Sequence, residues 1–476
     1  MQPSDFNALL VKNFPFSPTE SQRSWMDEIT YFLFENDPST VFVLKGYAGT
    51  GKSTSIGHLV KYLPRIGYRS VLMAPTGRAA KVMGGYAGRK AFTIHKQIYY
   101  TKSEGGSGMQ FTLKPNKYKK TLFVVDEASM IGDDRQNTKL FENGSLLGDL
   151  MQYVDAGKDC KLLLVGDPAQ LPPVHLDLSP ALDPEYMNYS FNKEVIECTL
   201  EEVVRQKIDS GILANATHLR SFLDDENATD FQFNLDKGTD VERMIEGNAI
   251  LEALEDAIQN DGLEETVFIV RSNKRANLYN QQIRQRILYL ETELSVGDQL
   301  MVVKNNYFWL DPESAPGFIA NGDLIKILRI IEHKEIYGFR FAKVEVDMVD
   351  YPDEKPFETT LLLDTLSSES PSLSFEEGNL LYQRVMEDYQ HLTTKYKRFM
   401  AVKNDPYFNA LQVKYSYAIT CHKSQGGQWK KVFVEQPYLP DGPSVPYYRW
   451  LYTAMTRAKA QLYLIGFGKE YFSKEE

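Results

Sequence analysis

Eight consecutive residues, Gly46-Tyr47-Ala48-Gly49-Thr50-Gly51-Lys52-Ser53, hold the glycines, the amine and the hydroxyl that a phosphate chain needs. An apolar run, Val41 to Leu44, leads in as a buried strand, and a helix-like stretch follows through Tyr62. At such a junction glycines let the backbone wrap phosphate oxygens with N–H groups, and the helix N-terminus adds a favourable dipole. Lys52 can reach the β- and γ-phosphates and the Ser53 hydroxyl can ligate Mg²⁺, while Gly46, Ala48, Gly49, Thr50, Gly51 and Thr54 complete the cradle. The pattern predicts a nucleoside triphosphate site.

Further groups suit hydrolysis of that nucleotide. Asp126-Glu127-Ala128-Ser129 closes a later apolar strand. There Asp126 can hold the Mg²⁺ shell, and Glu127 can orient or deprotonate the attacking water. A proline-stiffened loop follows the next strand, Gly166-Asp167-Pro168-Ala169-Gln170-Leu171-Pro172-Pro173, and the Gln170 amide can touch both water and γ-phosphate. Phosphoryl transfer also needs positive charge where the transition state becomes anionic. Arg205 and Arg457 are the candidates, although each taken alone also fits a surface ion pair.

Positioning these groups takes parallel strands. Val41 to Leu44, Ser70 to Ala74, Leu122 to Val125 and Lys161 to Val165 each end in a polar or glycine-rich turn, where ligands sit in open α/β sheets. A second set starts at Thr266 to Val270, with a helix-like run from Lys274 to Leu288, and resumes at Tyr415 to Ile419, Val432 to Val434 and Leu462 to Ile465. Between its halves, Gln299 to Val303, Leu324 to Ile331, Phe339 to Met348 and Thr359 to Leu363 read as strands of a small β-barrel, with turns at Asn321-Gly322 and Tyr337-Gly338. Phe375 to Met400 reads as helical, and Tyr99 to Lys120 as strand, glycine-rich turn, strand.

The bulk numbers agree with a folded multidomain protein. The 476 residues suggest about three domains at roughly 150 residues each. A net charge of −11, from 53 basic and 64 acidic residues, leaves nucleic-acid binding to a local positive track. No apolar stretch approaches the ~20 residues that span a bilayer, and Met1 to Asp5 lacks a signal peptide's basic and apolar regions. Cys160, Cys198 and Cys421 are too widely spaced for a zinc site or disulfide frame, so a reducing, intracellular (cytoplasmic) setting is expected.

Together the segments resemble the RecD-like and Dda-like DNA helicases, the branch of superfamily 1 associated with 5′→3′ movement. The resemblance is carried by Gly46 to Ser53, Ala74-Pro75-Thr76-Gly77-Arg78-Ala79-Ala80-Lys81, Thr93-Ile94-His95, Asp126 to Ser129, Gly166 to Pro173, Val203-Val204-Arg205-Gln206, Thr420-Cys421-His422-Lys423-Ser424-Gln425-Gly426 and Tyr452 to Lys459. It implies an α/β fold with two RecA-like parallel-sheet motor domains. The first would comprise 1–98 and 121–195, with a duplex-splitting hairpin at 99–120. The second would comprise 196–293 and 412–476, with an SH3-like barrel and helical arm at 294–411, the arm docking on the hairpin. ATP and Mg²⁺ would lie between the motors, against Lys52, Ser53, Asp126, Glu127 and Gln170 from the first and Arg205, Gln425, Gly426 and Arg457 from the second. Gln22 matches the family's adenine-reading glutamine, and a carboxamide can pair with adenine's donor and acceptor edge.

The resemblance also implies a DNA strand across both motors. Pro75, Thr76, Thr93 and His95 would serve one side, and Thr420, His422, Lys423 and Ser424 the other. Such groups suit phosphate contacts that position without reading sequence. In the insertion at 99–120, either Tyr100 or Phe111 stacks on a terminal base pair or the segment is a surface loop. Gln428 stands where many relatives carry a glutamate assigned to the ribose. The expected activity is an ATP-dependent DNA helicase working on single-stranded DNA and single-strand/duplex junctions. It would act as a monomer away from membranes, in replication, repair or recombination, with transient partners. The alternatives are a translocase that displaces proteins or annealing intermediates without processive unwinding, an RNA helicase, and a nucleotide-dependent binding protein with no motor.

Overall fold

The computed structural model describes residues 1–35, 37–100, 112–133, 144–174, 176–204, 210–223, 230–236, 238–311, 314 and 316–473. Arg205, Phe111 and the turn from Ser103 to Gly108 lie outside them.

Strands rich in Val, Leu and Phe, buried on both faces, form the first sheet. Its order is Ala91–Thr93, Arg69–Ala74, Thr121–Val125, Lys161–Gly166, Thr40–Gly46 and Glu194–Leu200, all parallel. Successive side chains alternate between faces. Phe42, Leu44, Leu122, Val124, Leu163 and Val165 therefore join one apolar cluster, and Val41, Val43, Phe123, Val125, Leu162 and Leu164 join another. The last strand runs to Leu200, so the chain leaves this sheet only after that residue.

The second sheet is also parallel, in the order Ala418–Thr420, Thr266–Val270, Trp429–Glu435, Ala458–Ile465 and Val241–Met244. Between two of its strands lies a closed barrel of Gln299–Val302, Leu324–Ile336, Phe339–Met348, Phe357–Leu362 and Leu411–Tyr415. Tyr337 and Gly338, with φ of 57° and 70°, turn the long hairpin of this barrel, the positive φ pair that a two-residue hairpin loop requires.

Two expectations change here. Tyr415 to Ile419 is not one strand: Tyr415 pairs with Leu300 in the barrel, while Ala418 pairs with Phe268 in the second sheet. A buried clamp fixes the turn between them. Arg284 donates to both carboxylate oxygens of Asp298 at 2.9 and 2.8 Å, the Tyr417 hydroxyl donates to Asp298 at 2.8 Å, and Asn280 accepts the Ala418 N–H at 2.7 Å. The run from Phe375 to Met400 is likewise two helices, Phe375–Asp388 and Lys395–Lys403. The Thr394 side chain accepts from the Lys397 N–H and starts the second one. These helices pack on the barrel, where Leu381, Val385 and Val402 meet Phe339, Phe341 and Leu362. At the base of the insertion Tyr99–Tyr100 pairs antiparallel with Thr112–Leu113, and docking of the arm on the tip lies outside the described residues. Among the described residues no helix is long and apolar enough to cross a membrane.

Candidate nucleotide site and nucleic-acid track

Strand Thr40–Gly46 delivers the phosphate loop to helix Lys52–Tyr62, whose N-cap is Gly51 at φ 87°. A side chain is disfavoured there by conformation, and a Cβ would also stand 2.7 Å from Gln22 Nε2. Gln22 is buried behind the loop; its Nε2 donates to Thr50 O at 3.0 Å and its Oε1 accepts the Thr19 N–H at 3.1 Å. Both ends of the amide thus brace the loop and cap helix Glu20–Phe34, and each keeps one further hydrogen-bonding position. Lys52 Nζ donates to Gly46 O and, at 3.0 Å, to Tyr47 O, and lies 3.8 Å from Asp167 Oδ2.

The acidic pair follows strand Thr121–Val125. Asp126 Oδ2 accepts from the Tyr86 hydroxyl at 2.6 Å, and Oδ1 accepts the Glu127 N–H at 2.9 Å. Glu127 holds φ at 54°, a left-handed conformation that non-glycine residues rarely adopt outside functional sites and tight turns. Burial pushes its carboxyl above the usual range; Arg457 opposes this, Asp126 adds to it, Lys52 opposes and Asp167 adds. A carboxylate so raised is a better proton acceptor. Gln170 is buried, and its Oε1 has no hydrogen-bond partner among the described residues, which leaves an acceptor for a water or an N–H.

The second sheet's helix Val445–Met455 covers this loop. The Tyr452 hydroxyl accepts the Ala48 N–H at 2.9 Å and donates to Asp167 Oδ2 at 2.9 Å, and Thr453 Oγ1 accepts the Leu171 N–H at 2.8 Å. Gln425 Nε2 donates to Leu171 O at 2.8 Å. Gly426, at φ 73°, lies so close to the helix Gly77–Ala87 that a Cβ would be 2.9 Å from the Ala79 Cβ. The Arg78 guanidinium sits 4.1 Å over the Trp429 ring across the same seam. Arg457 is buried; its Nε donates to Thr453 O at 2.9 Å and its Nη1 to Gly427 O at 3.3 Å. The structure therefore brings Lys52, Asp126, Glu127, Gln170, Gln425, Gly426 and Arg457 around one cleft.

Sequence reasoning missed Tyr452, Asp167 and Tyr86 as members of this cleft. Their types gave little signal: a tyrosine in an apolar helix reads as core, and Asp167 reads as a turn cap. Ser53 and Asp126 fit Mg²⁺ by donor chemistry, being an exposed hydroxyl on a helix's first turn and a carboxylate whose two oxygens each accept one bond.

On the nucleic-acid side the structure sorts the expected residues. Thr76 Oγ1 accepts the Ala79 N–H and Thr93 Oγ1 accepts the Lys96 N–H, each at 3.2 Å, so both hydroxyls cap helices. Burial pushes the His95 imidazole down to about 4, which keeps it neutral at physiological pH. Beside Thr93 a cavity of about 280 Å³ is lined by Lys81, Arg89, Lys90 and Lys96. Beside the second sheet His422 is exposed next to half-buried Thr420 and Lys423. Burial, with Lys414 adding to it, pushes the Lys423 amine down to about 8. Ser424 departs from expectation: it is fully buried and its hydroxyl is turned into the fold, donating to Cys421 O at 2.7 Å. Gln428 is exposed.

Known proteins match both halves of the chain. Residues 19–238 match the AAA domain family model, and residues 415–465 match the UvrD-like helicase C-terminal domain. The chain is 34% identical over 162 residues to the ATP-dependent RecD2 DNA helicase of Deinococcus radiodurans, a match covering 34% of this chain and 20% of that protein. It is 24% identical over 448 residues to the ATP-dependent DNA helicase dda of Enterobacteria phage T4, covering 89% of this chain and 93% of that one. A crystal structure of Pif1 helicase from Bacteroides with ADP-AlF3 and ssDNA aligns over 96% of this chain and 95% of its own, at 16% identity and a TM-score of 0.47.

Proposed function

We propose, from the premise that the chain belongs to the RecD- and Dda-like branch of superfamily 1 helicases, that it spends ATP to move along single-stranded DNA and part duplexes. One observation carries this reading. The helix and turn packed on the second parallel sheet reach the phosphate loop and the loop from Gly166 to Pro173 directly, through Tyr452, Thr453 and Gln425. A nucleotide seated there is shared by two bodies, so its binding and loss change how they sit together. Bound Mg²⁺ would neutralise phosphate charge next to Ser53 and Asp126. Glu127 takes a proton from the attacking water, Gln170 orients it, and Lys52 and Arg457 meet the charge that develops. Arg205 remains a candidate second cation.

The cavity at Lys81, Arg89, Lys90 and Lys96, which Asp350 also lines, and the corner of exposed His422 and half-buried Lys423 serve as the two DNA grips. They contact phosphates, so sequence preference is weak and salt dependence strong. Travel from 5′ to 3′ and the hairpin's wedge role follow from the family resemblance.

Hydrolysis measured with and without single-stranded DNA, and strand displacement from duplexes bearing only a 5′ or only a 3′ tail, test the proposal. DNA should raise the hydrolysis rate at least tenfold, and Lys52→Ala should abolish it while sparing DNA binding. Unwinding from the 5′ tail alone supports the direction. Tracking without strand displacement favours the translocase reading, and DNA-independent hydrolysis overturns the motor.

A further inference from the structure

Tyr452 is fully buried, and its hydroxyl sits inside the phosphate loop although its helix belongs to the other motor. Burial and nearby Asp167 hold the phenol protonated, so it donates to Asp167 and accepts from Ala48. The Ala48 N–H is one of the phosphate loop's own backbone donors, the kind of group that holds a phosphate oxygen. A phenol oxygen and a phosphate oxygen both need the space in front of that N–H.

We infer that Tyr452 is a positioning residue that plugs the phosphate loop between turnovers and must release Ala48 before the phosphates seat. The inference rests on the proposed nucleotide site. Release is transmitted along one helix. Thr453, the next residue, holds Leu171, and Arg457 donates to Thr453 O at 2.9 Å. The group that tests whether the loop is filled is thereby joined to the cation that acts on Glu127. Loss of the hydroxyl leaves Asp167 compensated, since Oδ1 keeps the Ala169 N–H at 3.0 Å and Lys52 stays 3.8 Å away.

Tyr452→Phe in the full chain keeps the ring and removes the competitor. Titration with a fluorescent ADP in the absence of DNA should show affinity raised by roughly two- to tenfold, the worth of one neutral hydrogen bond. The KM for ATP should fall by a larger factor than kcat changes, a split that a merely structural role would not give. Unchanged or weaker ADP binding by a variant with wild-type melting overturns the inference. If the variant does not fold, hydrogen exchange in the unaltered chain decides: the Ala48 amide should be protected without nucleotide, and exchange at an open loop's rate overturns the plug. Failure of the nucleotide site itself looks different, because the unaltered chain would then bind no ADP and Lys52→Ala would change nothing.

Discussion

Asp323 offers a sharp test of the seam between the barrel and the first motor. It is 1% exposed, and its Oδ2 accepts the Ala320 N–H at 2.7 Å while Oδ1 has no partner among the described residues. That free oxygen presses on the start of helix Gly77–Ala87, 2.3 Å from where a Gly77 Cβ would stand. Burial pushes the carboxyl up to about 8, with the Ala320 N–H opposing and Asp350 adding. The folded value lies above the unfolded one, so folding favours the proton. Stability from this group is intact below about pH 4 and is withdrawn as pH rises toward 8. Integrated from pH 5 to pH 9, that withdrawal is on the order of 4 kcal/mol. Asp323→Asn keeps an acceptor for the Ala320 N–H and cannot ionise, so the wild-type loss across this window should vanish in the variant. Urea unfolding at pH 5, 7 and 9 measures it. Parallel pH curves for the two proteins would show that Asp323 is solvated, and the burial argument would fail.

Three further outcomes are expected. Lys423, with its amine pushed down to about 8, loses charge as pH rises from 7 to 9, so single-strand affinity should drop across that range; Lys423→Arg should flatten the profile in a fluorescence-anisotropy titration. Arg457→Gln should lower kcat by at least about 100-fold. Because Arg457 opposes the rise in the Glu127 pKa, its removal should also move the acid limb of the pH–rate profile to higher pH. Arg78→Ala removes the cation over Trp429 and should weaken the seam by about 0.5–2 kcal/mol, seen as a lower urea midpoint and a changed Trp fluorescence on nucleotide addition.

Strand positions and the phosphate loop were legible because their signals are local: runs of apolar residues buried on both faces, and glycines at fixed spacing before a lysine. The division of Tyr415 to Ile419 was not, because one apolar run serves two sheets and only distant partners, Leu300 and Phe268, distinguish its halves. The break between the two arm helices turns on the Thr394 cap, a signal that was there to be read. The bond from Gln22 to Thr50 was not legible, because no sequence pattern distinguishes an amide that braces a loop from one that reads a base. Tyr452 stayed hidden for the reason that makes it interesting: its partners, Ala48 and Asp167, lie about 400 and 285 residues away in the chain.

The clamp of Arg284, Asp298 and Tyr417 has a mechanical consequence. Both chain passages between barrel and second sheet run through it, so the barrel has no swivel of its own and travels as an outrigger of that motor. Among the described residues the barrel touches the first-sheet domain through Asp323, through Lys81, whose ammonium is 3.5 Å from Asp350, and through Lys96, which donates to Ser314 O at 2.7 Å. Any separation of the two sheets is thus resisted at a carboxyl, an ion pair and a lysine–carbonyl bond, and loosening that catch would alter how they open without touching the phosphate loop.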